Sequence, residues 1–559
     1  MLTPNENMKR LFMHLRVRAP ELCAVSLAVA WFFYLGYGPT LNPSFVAWLW
    51  RDDWAAYQWG FSFFRNAPWS WPLGSVPNLF YPHGTSVGFT DANPWLCVLF
   101  KPFSSLFPPD FQLWGLWYLL CYALQAWFGT KICRTLTRDP VQCALGGALF
   151  ALTPLLPIRA RHIALCGQFF VSAGLWLNLR REHSPEQVRR GLLSSFALLI
   201  WAAGTHAYLS LMLLVLCLAY YARLFLVDRL LGQRAWLTAT LSALGASLSV
   251  YYLFGFIGWK PSDLSVPGFG QYSADLLALF NAQGLSRFVP AFPFHPRQWE
   301  GYAYLGLGVF FLLSIALVRA LAAPARALRG LARHWPLLIA VFFMSLYALS
   351  SQVTYRGELV LDLSPFYAPI GKLAGIFRSS GRFVWPLSFL LIACGVRAVA
   401  SERHRKLSRA ALALALALSA AEQDPRQLSF DAVPLLSLRH AAWQSTSADY
   451  GHLELVPLQL QWECSYNPAL VDALSHEAYR RKLTFNSANL MRKEPNVRAL
   501  CGQDPSVLDA HTVYVVAPSR VASLRQLGAE CGVLDGLSVC ASLSRATPLL
   551  AALRRTAIP

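Results

Sequence analysis

Two adjacent carboxylates stand in RDDWAAYQWGFSFFRNAPWSWPLG, residues 51–74, a stretch otherwise crowded with Trp, Phe and Tyr. Written as a helix over 44–65, Trp48, Asp52, Ala55 and Trp59 share one face, and Asp53, Ala56, Tyr57 and Gly60 share the next. An aromatic helix at a lipid–water boundary explains the tryptophans. It does not explain the acids, because such helices favour Lys and Arg facing anionic lipid. Further on, FYPHGTSVGFTDANPW places Asp91 ahead of an apolar run over 93–107. Asp91 suits the N-cap of that run, and it equally suits a second acid. Carboxylate sites in one segment are what general acid–base chemistry requires. Asp53 and Asp91 could also hold a divalent cation such as Mg²⁺ or Mn²⁺. Of the three acids, Asp53 is the expected base, with Asp52 and Asp91 in support.

Cations supply the complementary chemistry. Arg159, Arg161 and His162 interrupt LLPIRARHIALCGQFF, and Lys372, Arg378 and Arg382 cluster in GKLAGIFRSSGRFVWP. Arginine at a membrane edge can simply snorkel. Grouped around a glycine-bearing loop, these residues suit a phosphate, since a guanidinium fork bonds two oxygens at once. Tyr272 and Asp275 in GQYSADLLALFN, Glu300 in WEGYAYLGLG, and Trp59 and Arg65 are candidates for the wall of a substrate cavity. Glu300 also suits a helix start, where a negative charge meets the helix dipole. No His/Cys spacing reads as a zinc site. The chain has neither GxxxxGK[ST] nor GxGxxG, which argues against ATP hydrolysis and against a nucleotide cofactor.

The elements that must position these residues follow from composition. The 559 residues are 55% hydrophobic and 14% charged, where a soluble domain has about 25% charged residues. Apolar runs fall near 21–37, 111–131, 140–158, 163–179, 191–204, 206–227, 235–258, 301–322, 334–351, 384–400 and 407–421. The expected fold is therefore a polytopic α-helical membrane protein of about eleven transmembrane helices, with 93–107 re-entrant. Lys9, Arg10, Arg16 and Arg18 precede the first run, and alternate loops are basic, as at Arg180/Arg181/Arg189/Arg190 and Arg397/Arg403/Arg405/Lys406. The positive-inside rule then puts the N-terminus in the cytoplasm and the C-terminus outside. It also accounts for the net charge of +19 without a nucleic-acid partner.

Residues 1–421 form the expected transmembrane domain, with a first outer segment at 38–110. Beyond it, 422–559 has mixed polarity, with strand-like HLELVPLQL and TVYVVAP and helix-like PALVDALSHEAYRRKL and RVASLRQLG. That alternation suits a small α/β domain outside the membrane. Eight of the twelve cysteines lie in the apolar part, and Cys464, Cys501, Cys531 and Cys540 lie in 422–559. Four cysteines in an oxidising compartment suggest two disulfides. Proximity along the chain favours Cys531–Cys540 and Cys464–Cys501 over the other pairings.

The layout resembles the GT-C superfamily of membrane glycosyltransferases, with acids in a first outer loop after the first helix, then a helix bundle and an outer C-terminal domain. DDWAAYQWGFSFFRNAPWSWPLG, YPHGTSVGFTDANPW, GQYSADLLALFN, EGYAYLGLG and FRSSGRFVWP are similar to an uncharacterised bacterial family of GT-C-like proteins, over about residues 20–425. The resemblance implies a polyprenyl-phosphate sugar donor and transfer, with inversion, to a glycan, lipid or protein acceptor on the periplasmic face of the bacterial inner membrane. It implies that a first-loop aspartate, best matched by Asp53, takes the acceptor proton while outer cations meet the departing phosphate. A phosphate-only donor requires no metal. Two other classes compete: a flippase for a lipid-linked saccharide, and a non-catalytic envelope scaffold. Transporters carry ionisable groups at mid-membrane on broken helices, whereas the mid-run regions here are almost free of charge.

Overall fold

The computed structural model describes residues 4–258, 267–425, 429–492, 496–544, 546–556 and 558. The side chains of Lys9, Arg10 and Arg16 lie outside those described. The chain forms two compact units that do not follow its order. One gathers Met1–Leu41, Trp114–Leu248 and Leu264–Ser429; the other gathers Asn42–Leu113, Ser249–Asp263 and Phe430–Pro559.

The first unit is helical, but it corrects the expectation of about eleven transmembrane helices. Among the described residues, three helices are long and apolar enough to cross a membrane: Pro140–Cys166, Ala207–Val227 and Ser380–Val399. The physical reasons are polarity and length: helices such as Trp114–Leu136 and Gln233–Leu253 are long enough but not apolar enough, and others are too short. A span needs about 20 residues at 1.5 Å each. Several apolar runs yield shorter helices: Phe169–Leu179 has 11 residues, Trp335–Leu349 has 15 and Leu307–Ala322 has 16. The 93–107 run breaks after one short helix, Pro94–Phe100, followed by a 3-10 turn over Lys101–Leu106.

Local rules set the helix starts. Asp139 accepts hydrogen bonds from the Val141 and Gln142 amides with Pro140 at the first helical position, a strong N-terminal signature. The helix it opens packs closely on Trp114–Leu136, and small residues permit the approach. A Cβ built on Gly147 would lie 2.0 Å from Thr130 Oγ1.

The second unit joins the first outer segment to the C-terminal α/β domain. Its first long helix, α1 (Asp52–Asn66), is buried at every residue from Trp54 to Phe64. A helix apolar on all sides belongs inside a core, so α1 is not the boundary helix its tryptophans suggested. Its polar ends fit the dipole, with Asp52 and Asp53 in the first turn and Arg65 in the last. Gly60 lets it press on the 87–90 turn, since an added Cβ would sit 1.9 Å from Thr90 Oγ1.

The C-terminal sheet has five strands, β1 (His452–Val456), β2 (Thr484–Phe485), β3 (Thr512–Val516), β4 (Ala529–Leu534) and β5 (Leu537–Ser542), in the order β2-β1-β3-β5-β4. β1 is parallel to β2 and β3, while β5 is antiparallel to β3 and β4. The central strand β3 is buried at all five positions, as expected when both faces of a sheet are covered. The crossover from β1 to β2 is helix α2 (Pro468–Arg481), capped by the Asn467 side chain accepting from the Leu470 amide. The edge strand β2 is not bare: the Phe485 amide donates to Asn78 O, and the Tyr81 amide donates to Phe485 O. One disulfide joins Cys531 and Cys540, opposed residues of β4 and β5, and the other joins Cys464 to Cys501.

Candidate functional site

In the second unit, α1 and α2 meet around a buried acid. The Trp59 indole N–H donates to Asp472 Oδ1 at 2.8 Å. Asp472, with Trp59, Tyr466, Ser475, Asn489 and neighbouring apolar side chains, lines a cavity of about 10 Å³, roughly the room one water needs. Tyr466 follows β1 in the chain, and Ala488 and Asn489 follow β2, so the cavity lies toward the carboxyl ends of the parallel strands. Open α/β sheets generally bind ligands at that edge.

Burial pushes the Asp472 carboxyl up to about 7; the Trp59 hydrogen bond opposes the shift, and the charge of Asp52 adds to it. The Tyr466 hydroxyl is raised by burial first, then by the charges of Asp472 and Asp53. Asp52, Asp53, Tyr466 and Asp472 are thus one electrostatic group. Asp52 is exposed at the start of α1, with φ at +50°, and Asp53 is half-buried beside it. Positive φ is unusual for a side chain with a Cβ, though aspartate tolerates it better than most.

The other first-segment candidates fall elsewhere. Asp91 sits in a left-handed conformation after the 87–90 turn. Asn93 is the residue that caps the next helix, accepting from the Leu96 amide. Arg65 clamps a loop: its guanidinium donates to the carbonyls of Ser104, Pro108 and Pro109 and to the Tyr479 hydroxyl. That clamp holds Asp110, whose Oδ1 lies 3.2 Å from His476 Nε2. The His476 ring is 6.0 Å from both Trp50 and Trp59, which stack on each other at 4.6 Å. Among the described residues, no three His, Cys, Asp or Glu side chains gather as a metal-binding group.

The cations belong to the first unit, and Glu300 organises them. Arg159 is fully buried and donates to Glu300 Oε2 at 2.7 Å, while Arg382 grips both oxygens at 2.9 and 2.6 Å. His162 Nε2 lies 3.7 Å from Oε1, its ring stacked on Trp299. Burial would raise the Glu300 carboxyl, but Arg382 and Arg159 outweigh it and hold it well below the usual carboxylate range. The fork of Arg382 is therefore spent on a carboxylate of the chain itself, and that of Arg159 on the same carboxylate and the carbonyls of Trp299 and Glu300. Arg161 and Lys372 are exposed and Arg378 is half-buried. Arg378 lies over the Tyr272 ring at 5.2 Å, and Arg297 lies over it at 5.7 Å. The Asp275 carboxylate accepts from the Leu277 and Gly357 amides and from Thr354 Oγ1. A separate apolar groove of about 420 Å³ is lined by Leu27, Trp31, Tyr34, Leu152 and Leu416, among others.

Asp472, Tyr466 and His476 were not singled out by sequence reasoning. The available signal lay in PALVDALSHEAYRRKL, where Asp472, Ser475 and Tyr479 recur at helical spacing along the flank of the apolar stripe. Periodicity marks that flank, but it does not say which helix covers it.

The chain matches the family described as Domain of unknown function (DUF6311) over residues 25–423, and the DUF6311 C-terminal domain over 442–542. No curated protein matches it.

Proposed function

This chain belongs to the DUF6311 family, and on that premise we propose that it is a membrane-associated glycosyltransferase. A sugar passes from a polyprenyl-phosphate donor to an acceptor hydroxyl in one inverting step. The bond from the acceptor oxygen to the anomeric carbon forms, the bond to the phosphate oxygen breaks, and the acceptor proton goes to Asp53. The observation that carries this reading is the carboxylate group around Asp472. One acid is buried with its carboxyl pushed up to about 7, and two others stand on the solvent side of the same electrostatic group. Carboxylates whose environments separate their proton affinities can divide acid and base roles. Asp472 is then the proton-holding member, and Asp52 and Asp53 are the solvent-side members.

The sugar and its lipid carrier rest on the sequence resemblance. Phosphate recognition by outer cations rests on the same resemblance; within the first unit, Arg159 and Arg382 are already engaged by Glu300. The apolar groove lined by Trp31 and Leu416 suits an isoprenoid tail. Two disulfides in the C-terminal domain support a periplasmic location for it, since disulfides persist in oxidising compartments.

The test is a profile of envelope glycans and lipid-linked sugars in cells carrying the wild-type chain, Asp53→Asn or Asp472→Asn at matched protein levels. Asp53→Asn should remove one glycan product and leave its lipid-linked donor to accumulate. An unchanged profile from a stably expressed Asp53→Asn chain overturns the proposal.

A further inference from the structure

After the Trp335–Leu349 helix, the first unit builds a two-stranded antiparallel hairpin, Gln352–Tyr355 against Glu358–Asp362. Its inner strand and turn are fastened: Asp275 Oδ2 accepts from Thr354 Oγ1 and from the Gly357 amide, both at 3.0 Å. Its outer strand is bare. Leu359, Val360 and Leu361 are 56%, 59% and 54% exposed, and no third strand pairs with it among the described residues. The pairing register shifts between Leu361, opposite Val353, and Leu359, opposite Thr354, and all five residues of the outer strand are exposed, so neither of its faces is covered. The apolar surface continues downstream through Phe366, 78% exposed, and Leu373, and upstream through Phe342 and Phe343 on the preceding helix.

Surfaces of this kind are not left in water: an apolar, unpaired edge strand is an aggregation site. What covers it can be argued from its shape. A folded partner covers one face of a strand or extends its edge. It does not also wrap the opposite face and the neighbouring helix. A fluid apolar medium covers all of these at once. The unpaired amides and carbonyls of the outer edge set the depth, because hydrocarbon cannot satisfy them and the headgroup layer can. Tyr355, Arg356 and Lys372 supply the amphipathic groups found at that level.

We propose that residues 355–373 are a lipid-docking hairpin, lying in the headgroup region of a bilayer with both faces of the outer strand in contact with lipid. Arg356 and Lys372 are balanced by Glu358 and Asp362 within 352–373, so apolar burial, not charge attraction, holds it there. This inference is independent of the acid–base reading above.

The test uses the full chain in phosphatidylcholine/phosphatidylglycerol nanodiscs, with the exposed Cys23 and Cys394 replaced by Ser. An environment-sensitive fluorophore is placed on Leu359→Cys or Val360→Cys, with Val507→Cys, an exposed site of the C-terminal domain, as the aqueous reference. Both hairpin labels should emit to the blue of the reference. Lipids labelled near the headgroup should quench them more strongly than lipids labelled deep in the chains, equally at low and high salt. Water-like emission quenched by iodide at either site overturns the proposal, as does shielding of one face alone that persists in detergent. Retention of the chain in carbonate-washed membranes with aqueous hairpin labels would leave membrane association standing and still remove this proposal.

Discussion

A carboxyl held beside an indole N–H in a nearly closed cavity responds to pH in a direction that can be worked out. Asp472 titrates near 7 in the folded chain, against 3.8 for an ordinary aspartate. Between those values the folded state keeps a proton that the unfolded chain has released. Stability therefore falls as pH rises across that window and levels off above it. The whole effect is on the order of 4 kcal/mol. Thermal unfolding at about pH 5 and about pH 8 should show the loss in the wild type and a much flatter response in Asp472→Asn. Glu300 behaves in the opposite way, because its charge is what the site needs. Glu300→Gln leaves Arg159 and Arg382 buried without their counter-charge, and the expected loss is about 3–5 kcal/mol, measured by thermal unfolding in detergent. A variant as stable as wild type would mean that the two guanidinium groups have another counter-ion.

At the scale of elements, the second unit depends on how closely α1 can approach its neighbours. Gly60→Ala would put a methyl group within van der Waals radii of Thr90, and overpacking of this kind costs about 1–3 kcal/mol. Pairing it with Thr90→Ala removes the nearest atom, Oγ1, so the double variant should recover part of the lost melting temperature. No recovery would show that the Cβ of residue 90, 2.6 Å from the added methyl and kept in the double variant, limits the approach. Helix α1 also shows where sequence reading stops. Its tryptophans suggested a membrane boundary, because composition alone cannot separate an aromatic helix facing lipid from one enclosed by protein. Burial at every position from Trp54 to Phe64 makes it a core helix. The same ambiguity inflated the span count: an apolar run shows that a segment avoids water, and the length and polarity of the helix it forms decide whether it can cross a bilayer.

For the whole molecule, covalent closure matters most in the C-terminal domain. Cys464 and Cys501 are 37 residues apart, and Cys531 and Cys540 are 9 apart. Loop-closure entropy makes the first bridge worth about 4 kcal/mol and the second about 2–3 kcal/mol. Cys464→Ser/Cys501→Ser should therefore lower the unfolding midpoint more than Cys531→Ser/Cys540→Ser, and equal losses would show that chain entropy is not what these bridges supply. The sequence alone determined that the C-terminal part is an α/β domain. Alternating HLELVPLQL and TVYVVAP, and the Asn-Pro start of PALVDALSHEAYRRKL, are local signals that survive any packing. It also marked the acids at 52 and 53 as out of place in their aromatic surroundings. Only the tertiary structure decided that the 42–113 segment folds into one unit with residues 430–559. It also decided that Trp59 meets Asp472 across 413 residues of chain, and that Glu300 claims Arg159 and Arg382. Those outcomes depend on contacts between distant segments, and hydrophobic periodicity describes which face of an element is buried without saying against what.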